Sequence, residues 1–322
     1  MNVLILPSPP QLHYWCDGVV TALDDRYPIR HFDPTQAVLD QFRDIDVVVE
    51  CVGCTREMVD AAVDAGVKLW QVMAVGLNAW DVNYFLDKGM PFANTPGPFS
   101  AVALAEHALS LMFLIAKNYT AAQENVRTEN FSLPVNDELA GKTLSLVGLG
   151  ASGRELAKRA HALGMRLAAI DIVDVSQEIR DELHLEFLGD PSRLDHLLSE
   201  ADYLSIHTPL TSKTRHLIDR RALDLMKPTA ALINIARGGI VDEPALIEAL
   251  ETGQIRAAGL DVFAHEPLLS GHPFQQMKNV YCTPHIAGVT KETVQRRAAL
   301  VVENIDRVAK GLTPLHLVTS AE

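Results

Sequence analysis

Between residues 143 and 153 an apolar run passes straight into a glycine-rich turn, and this junction constrains the fold more than any other stretch. Thr143-Leu144-Ser145-Leu146-Val147 has the length and character of a buried strand. Gly148-Leu149-Gly150-Ala151-Ser152-Gly153 follows without a break, and Arg154–Leu163 then has helical spacing. The three glycines have separate physical jobs. Gly148 makes the tight turn, Gly150 lets backbone N–H groups approach a pyrophosphate, and Gly153 lets helix and strand pack closely. The helix N-terminus then faces negative charge, so Gly148, Gly150, Ala151, Ser152 and Gly153 are the expected phosphate contacts. Asp171 ends the next strand, 18 residues after Gly153. A carboxylate there accepts from ribose hydroxyls and repels the extra phosphate of NADP. Ile172 and Val173 follow it, with no arginine, so the expected cofactor is NAD.

Apolar runs of strand length alternate with helical segments in two blocks. The first block runs to about residue 95. Its strands are expected at Val3–Leu6, Asp46–Val49 and Lys68–Val72, with helices over Thr55–Ala65 and Asn78–Lys88. The second runs from about 140 to 289. Its strands are expected at Thr143–Val147, Arg166–Ile170, Tyr203–His207, Ala230–Ile235, Ala257–Leu260 and Val280–Thr283. A helix over Glu243–Thr252 has Asp242 as its cap and Gly253 as its stop. This alternation predicts an α/β protein with two doubly wound parallel sheets. Ser100–Lys117 is apolar on nearly all sides, which predicts a buried helix joining the domains. Glu106 and His107 near its middle argue against a membrane span. A last helix, about Lys291–Lys310, returns to the first block and leaves that domain discontinuous, with a cleft between the two.

A chain of 322 residues suggests about two domains. Its net charge of −13 disfavours a phosphate backbone, so nucleic acid is not an expected partner. Neither is a membrane. The start, Met1–Leu6, lacks basic residues and is cut short by Pro7, Pro9 and Pro10, so it reads as a first strand and the expected location is the cytoplasm. Cys51 and Cys54 form one CxxC without a second pair, and Cys16 and Cys282 stand alone. Buried apolar thiols are expected there, and no metal site.

Three further segments each follow the C-terminal end of an expected strand: Asn234–Gly239, Asp261–Pro267 and Thr283–Gly288. Ligands bind beyond strand carboxyl ends in open α/β sheets, so Arg237, Glu266 and His285 are expected to converge. The chemistry suits hydride transfer at a carbinol or carbonyl carbon. Arginine forks onto a carboxylate, and histidine exchanges a proton with the oxygen. A nearby carboxylate favours the imidazolium and orients the ring. His265 is the nearest rival acid–base, but no glycine-rich turn frames it.

With these segments in place, the chain resembles the D-isomer-specific 2-hydroxyacid dehydrogenase family over nearly its whole length. The family-like stretches are Val147–Gly153, His207-Thr208-Pro209-Leu210-Thr211, Asn234–Val241, Gly259–Pro267 and Thr283–Gly288. The steps of 29 residues from Arg237 to Glu266 and 19 from Glu266 to His285 are usual for it. The resemblance implies a Rossmann NAD domain, residues 99–289, inserted into a flavodoxin-like substrate domain, residues 1–98 plus 290–322. It implies a homodimer and a small 2-keto or 2-hydroxy acid substrate. It assigns substrate binding to Arg237, the acid–base role to His285 and support of His285 to Glu266. Asp261 would hold the nicotinamide amide. Thr208, Ile235, Ala236, Arg237, His285 and Gly288 would also lie along the cofactor. The N–H groups of Val75 and Gly76 would bind the substrate carboxylate.

Three departures stand out. Ser152 replaces the family's isoleucine or leucine beside the pyrophosphate, where it would add a hydroxyl contact. Phe99 takes a position often held by asparagine. Cys51–Cys54 replaces a more polar stretch near the expected substrate mouth, where Arg56 would meet a second anionic group or solvent. Glu266 argues against formate, since the formate enzymes carry glutamine there. Two alternatives share the architecture: a dinucleotide-sensing corepressor-like scaffold with little turnover, and phosphite oxidation.

Overall fold

The computed structural model describes residues 1–132 and 135–320. In chain order the strands are β1 (Val3–Ile5), β2 (Ile29–His31), β3 (Val47–Glu50), β4 (Leu69–Val72), β5 (Phe92–Ala93), β6 (Thr143–Val147), β7 (Arg166–Ile170), β8 (Leu185–Gly189), β9 (Tyr203–Ile206), β10 (Ala231–Asn234), β11 (Ala257–Leu260) and β12 (Val280–Cys282). The helices are α1 (His13–Leu23), α2 (Val38–Gln41), α3 (Arg56–Ala65), α4 (Val82–Asp87), α5 (Ala101–Ala116), α6 (Tyr119–Arg127), α7 (Ala151–Ala162), α8 (Gln177–Glu182), α9 (Leu194–Glu200), α10 (Arg220–Leu225), α11 (Glu243–Glu251) and α12 (Lys291–Ala309). They fall into two compact units, Met1–Phe99 with Val289–Glu322, and Ser100–Gly288.

The first unit holds a five-stranded parallel sheet in the order β2-β1-β3-β4-β5. Every residue of β3 and β4 is buried. One face is covered by α3 and α4 through Val59, Ala62, Val82 and Phe85. The other is covered by α1 and α12 through Trp15, Val19, Val301 and Ile305. Parallel strands covered on both faces read as continuous apolar runs, which is why they are visible in the sequence. The order reverses between β1 and β3, so their C-terminal ends part and leave a crevice.

The second unit holds a seven-stranded parallel sheet in the order β12-β11-β10-β9-β6-β7-β8. Helices α9, α10 and α11 pack on one face, and α5 with α7 on the other. This is the doubly wound dinucleotide topology with a seventh strand, and its reversal lies between β6 and β9. Gly97–Ala116 is the one helical segment among the described residues long and apolar enough to cross a membrane, by length and composition only. Within it, α5 buries nine of its side chains, and seven of them, Met112 and Ile115 among them, lie in the core of this unit.

Sequence pattern misses three strands, and the reason is local. β2 is partly or fully exposed at each residue, β5 is two residues long, and β8 mixes Glu186 and Gly189 into its run. All three flank the buried centre of a sheet or end it. The helix expected from Asn78 begins only at Val82, because the Asp81 side chain caps it by accepting the Tyr84 N–H at 3.2 Å. Residues 78–80 form a turn that buries Trp80 instead. Asp242 caps α11 through the Ala245 N–H at 3.2 Å, and Gly253 beyond it has φ +73°.

Candidate active site

The glycine loop leaves the C-terminal end of β6 at the switch point of the second unit. Gly148 has φ +99°, and a Cβ there would lie 2.8 Å from the His207 carbonyl oxygen and 3.2 Å from the Thr208 nitrogen. The loops after β6 and β9 therefore touch backbone to backbone, which sets Thr208 against the turn. A Cβ on Gly153 would lie 2.3 Å from the Gly148 oxygen, so helix α7 packs on the strand only as glycine. Gly150 is different: a Cβ there meets nothing within 4 Å. It faces open space, and α7 has no side-chain cap at its N-terminus. Helices α3, α4, α10, α11 and α12 are capped by a Thr or Asp side chain, whereas α7, like α1, α2, α5, α6, α8 and α9, is not. The first-turn donors of α7, including those of Ala151 and Ser152, thus stay available to an anion.

Asp171 stands just past β7 and reaches back to the loop, accepting the Leu149 N–H at 2.5 Å and the Val173 N–H at 2.8 Å. Ionised carboxylates have about four acceptor positions, so two remain for ribose hydroxyls. Ile172 and Val173 beside it are exposed and uncharged. These residues fit NAD: an open glycine cradle, free helix donors and an acid at the neighbouring strand end.

Ser152 does not turn towards the cradle as expected. Its hydroxyl is 3.0 Å from His207 Nδ1, and the Nε2 of the same ring is 2.9 Å from the Ser205 hydroxyl. Burial without an acidic partner holds His207 down at about 4, so the ring is neutral. The departure at residue 152 is thereby explained: the serine satisfies a partly buried imidazole beneath the loop.

Arg237, Glu266 and His285 come from the ends of β10, β11 and β12, which lie side by side. Gly238 makes their approach possible. A Cβ there would fall 1.9 Å from the Phe263 carbonyl carbon, so the two segments are in direct backbone contact. Asn234 shapes the Arg237 turn, accepting the Ala236 N–H at 3.1 Å and donating to the Arg237 oxygen at 2.9 Å. Ile235 is a core side chain, and the Ala236 oxygen accepts Arg237 Nη1 at 2.6 Å. Burial pulls the Arg237 guanidinium down, and the charge of Glu266 partly offsets this.

His285 Nδ1 and Glu266 Oε2 are 2.7 Å apart. Glu266 Oε1 accepts the Phe263 N–H at 3.0 Å. Burial pushes Glu266 up, but His285, the Phe263 N–H and Arg237 outweigh it and hold the carboxyl below its ordinary range. The imidazole is half exposed, and its Nε2 has no partner among the described residues. His265 is exposed and shares no hydrogen bond with this pair among the described residues. His285 also has φ +55°, a left-handed conformation that costs a non-glycine residue about 1 kcal/mol.

Asp261 enforces that conformation. Its backbone oxygen accepts the His285 N–H at 2.8 Å. Its carboxylate accepts from Thr283 Oγ1 at 2.6 Å and from the Ile286 and Ala287 N–H groups at 2.9 and 2.7 Å. Asp261 is 0% exposed, and these bonds build the His285 turn. His107 of α5 completes the support, with Nε2 2.8 Å from Thr283 Oγ1. Neither His107 nor Thr283 carries a spacing signal that would single it out in the sequence. Gly288 closes the turn, where a Cβ would sit 3.7 Å from the Ser100 Cβ.

In the first unit, Val75 and Gly76 lie just beyond β4. The carbonyls of Met73, Ala74 and Val75 are all engaged, by Arg297 Nη1 at 2.9 Å, the Thr95 N–H at 3.1 Å and Asn94 Nδ2 at 3.1 Å. Among the described residues the N–H groups of Val75 and Gly76 donate to nothing. Arg56 is exposed, donates Nε and Nη2 to Asp81 and stacks on Tyr84. All four cysteines are free thiols, and the described residues contain no group of three His, Cys, Asp or Glu side chains able to hold a metal.

An open cradle of this kind, with a strand-end acid beside it, defines a nicotinamide-dinucleotide protein of the doubly wound class. Residues 109–287 match the family model described as D-isomer specific 2-hydroxyacid dehydrogenase, NAD binding domain. The chain is 37% identical over 328 residues to a glyoxylate reductase of Thermofilum pendens, covering 98% of this chain and 92% of that one. It is 35% identical to a D-3-phosphoglycerate dehydrogenase of Methanocaldococcus jannaschii, over 86% of this chain but only 52% of that longer protein. Its fold aligns with a D-lactate dehydrogenase of Lactobacillus jensenii solved with NAD+, at TM-score 0.84 and 27% identity, covering 99% and 100% of the two chains. The chain belongs to the D-isomer specific 2-hydroxyacid dehydrogenase family, and NAD is its cofactor.

Proposed function

We propose that this protein reduces a small 2-keto acid bearing one carboxylate to its D-2-hydroxy acid, with His285 as the proton donor. The hydrogen bond between His285 and Glu266 at 2.7 Å carries the proposal, because it fixes the ring through Nδ1 and leaves Nε2 for a substrate oxygen. NADH, when bound, supplies the hydride that reaches the carbonyl carbon. Arg237 binds the substrate carboxylate and, with His285, offsets charge developing on the oxygen. Glu266 stays ionised and stabilises the imidazolium that waits to give its proton. Asp261 holds His285 in place through the backbone of its turn. The free N–H groups of Val75 and Gly76 are the proposed second contact to the carboxylate.

The restriction to one carboxylate rests on the first unit. Arg56 is the only basic residue in segments 51–56 and 74–81, and Asp81 already holds it. The glyoxylate reductase name of the Thermofilum pendens relative points the same way. The reading includes a homodimer in the cytoplasm. Helix α6 buries none of its residues, and Tyr119, Val126 and Phe131 are exposed, a surface that a second copy would cover. His285→Gln is expected to lower turnover by about a hundredfold or more while NADH affinity stays unchanged. Turnover equal to wild type would remove His285 from the mechanism.

A further inference from the structure

The switch point of the first unit holds an acid that the reaction does not use. Glu50 ends β3 and is fully buried. Its Oε1 accepts the indole N–H of Trp70 at 2.8 Å and that of Trp80 at 2.5 Å. Its Oε2 accepts the Gly53 N–H at 2.9 Å, and the Cys54 thiol donates to the same carboxyl. Among the described residues no lysine, arginine or histidine pairs with it. Four donors converge on this carboxyl group and no acceptor does. Burial pushes Glu50 above its ordinary range, and the two indoles, the Gly53 N–H and the thiol offset this only in part.

The contacts reach both ends of the loop that follows β4. The Glu50 backbone oxygen accepts the Met73 N–H at 2.9 Å, just before Val75 and Gly76, and the Trp80 indole closes the far end. Gly53 brings the neighbouring loop up against this one. It has φ +112°, and a Cβ there would crowd the Ala79 oxygen at 3.2 Å. The loop carbonyls are already pinned from outside by Arg297, Thr95 and Asn94. Between Gly76 and Trp80 the chain closes through the Trp80 N–H on the Leu77 oxygen at 3.0 Å and the Trp80 indole on Glu50.

We propose that Glu50 is a positioning residue whose buried carboxylate, through Trp80 and Gly53, holds the Val75 and Gly76 N–H groups in the geometry that receives the substrate carboxylate. This rests on the reading above that those two N–H groups bind substrate. Replacing the carboxylate by an amide turns an NH2 group towards two of the four donors, and the end of the loop must shift.

The test is steady-state kinetics and NADH titration on three variants of the full chain. Glu50→Gln is expected to raise KM for the 2-keto acid about tenfold, with kcat and the NADH Kd within about twofold of wild type. Trp80→Phe keeps the ring and removes one donor, so its KM rises in the same direction by a smaller factor, which keeps the test open if Glu50→Gln folds poorly. Gly76→Pro deletes the proposed donor itself and is expected to raise KM at least as much as Glu50→Gln. If Gly76→Pro raises KM while Glu50→Gln and Trp80→Phe lower only the melting temperature or the active fraction, the positioning role is overturned and the loop's role in binding stands. If Gly76→Pro leaves KM unchanged, the loop does not bind the carboxylate, and the role of Glu50 falls with it.

Discussion

At the switch point of the second unit, Val147 runs into a loop that leads to the uncapped first turn of α7, and its acid, Asp171, stands at the neighbouring strand end and accepts the Leu149 N–H. At the switch point of the first unit, Glu50 ends the strand with a carboxylate that fills every donor around it. Both loops follow a buried parallel strand, and both depend on a glycine with positive φ, Gly148 and Gly53. The difference lies in what meets the donors. The second unit leaves that to a ligand, so its helix has no cap and Gly150 faces space. The first unit fills its donors with its own carboxyl group, and its free donors lie on the next loop, at Val75 and Gly76. A fold can thus hold two crevices of one kind and make them receptive in different ways.

The sharpest test of this contrast is inside the glycine loop. Gly153→Ala forces a Cβ against the Gly148 oxygen and is expected to cost about 2–3 kcal/mol of stability, with NADH binding largely lost. Gly150→Ala adds the same methyl group to open space, so its stability stays within about 1 kcal/mol of wild type. It should still weaken NADH by about tenfold, because the methyl enters the cradle. Thermal melts with NADH titrations separate the two. Equal stability losses would mean that Gly150 is structural, and the contrast with Gly153 would fail.

A smaller effect concerns the imidazole beneath the loop. His207 titrates at about 4 in the folded chain, against an ordinary value near 6.5 when unfolded. Between those pH values the unfolded chain takes up a proton that the folded chain refuses. Stability therefore falls as pH drops from about 6.5 to about 4, by roughly 2–3 kcal/mol, and this contribution levels off below the folded value. Denaturation of wild type and His207→Gln across that range checks it, and parallel pH profiles would refute the burial argument. The smallest expected effect is at Arg56. Arg56→Ala removes an exposed pair with Asp81 and should change KM for a monocarboxylic keto acid by less than about twofold. A large rise in KM would show that Arg56 leaves Asp81 to bind substrate.

The sequence exposes the parts of this architecture whose physics is local. The central strands are legible as apolar runs, and β6, β7 and β11 have the bounds read from the sequence. The cradle is legible because each glycine has a steric reason, and the Arg237, Glu266 and His285 segments because each follows a strand. Edge strands β2 and β8 are not, since half-exposed residues carry no clean pattern. Nor are roles that depend on contacts distant in sequence. The part Asp261 plays in the His285 turn is one of these, because its partners Ile286 and Ala287 are 25 and 26 residues away. The hydroxyl of Ser152 is another, because its partner His207 is 55 residues away. Glu50 shows nothing in the sequence beyond an acid ending an apolar strand, because its partners Trp70 and Trp80 are 20 and 30 residues distant.

The most direct test of the account is NADH oxidation by the full chain across a panel of 2-keto acids, comparing kcat/KM. The panel should include glyoxylate, hydroxypyruvate, a branched keto acid and a phosphorylated hydroxypyruvate. The account predicts turnover, with the small monocarboxylic acids favoured over the phosphorylated one by about tenfold or more, because no free cation in segments 51–56 and 74–81 meets a second anionic group. NADH that binds but is oxidised with none of these acids would contradict it.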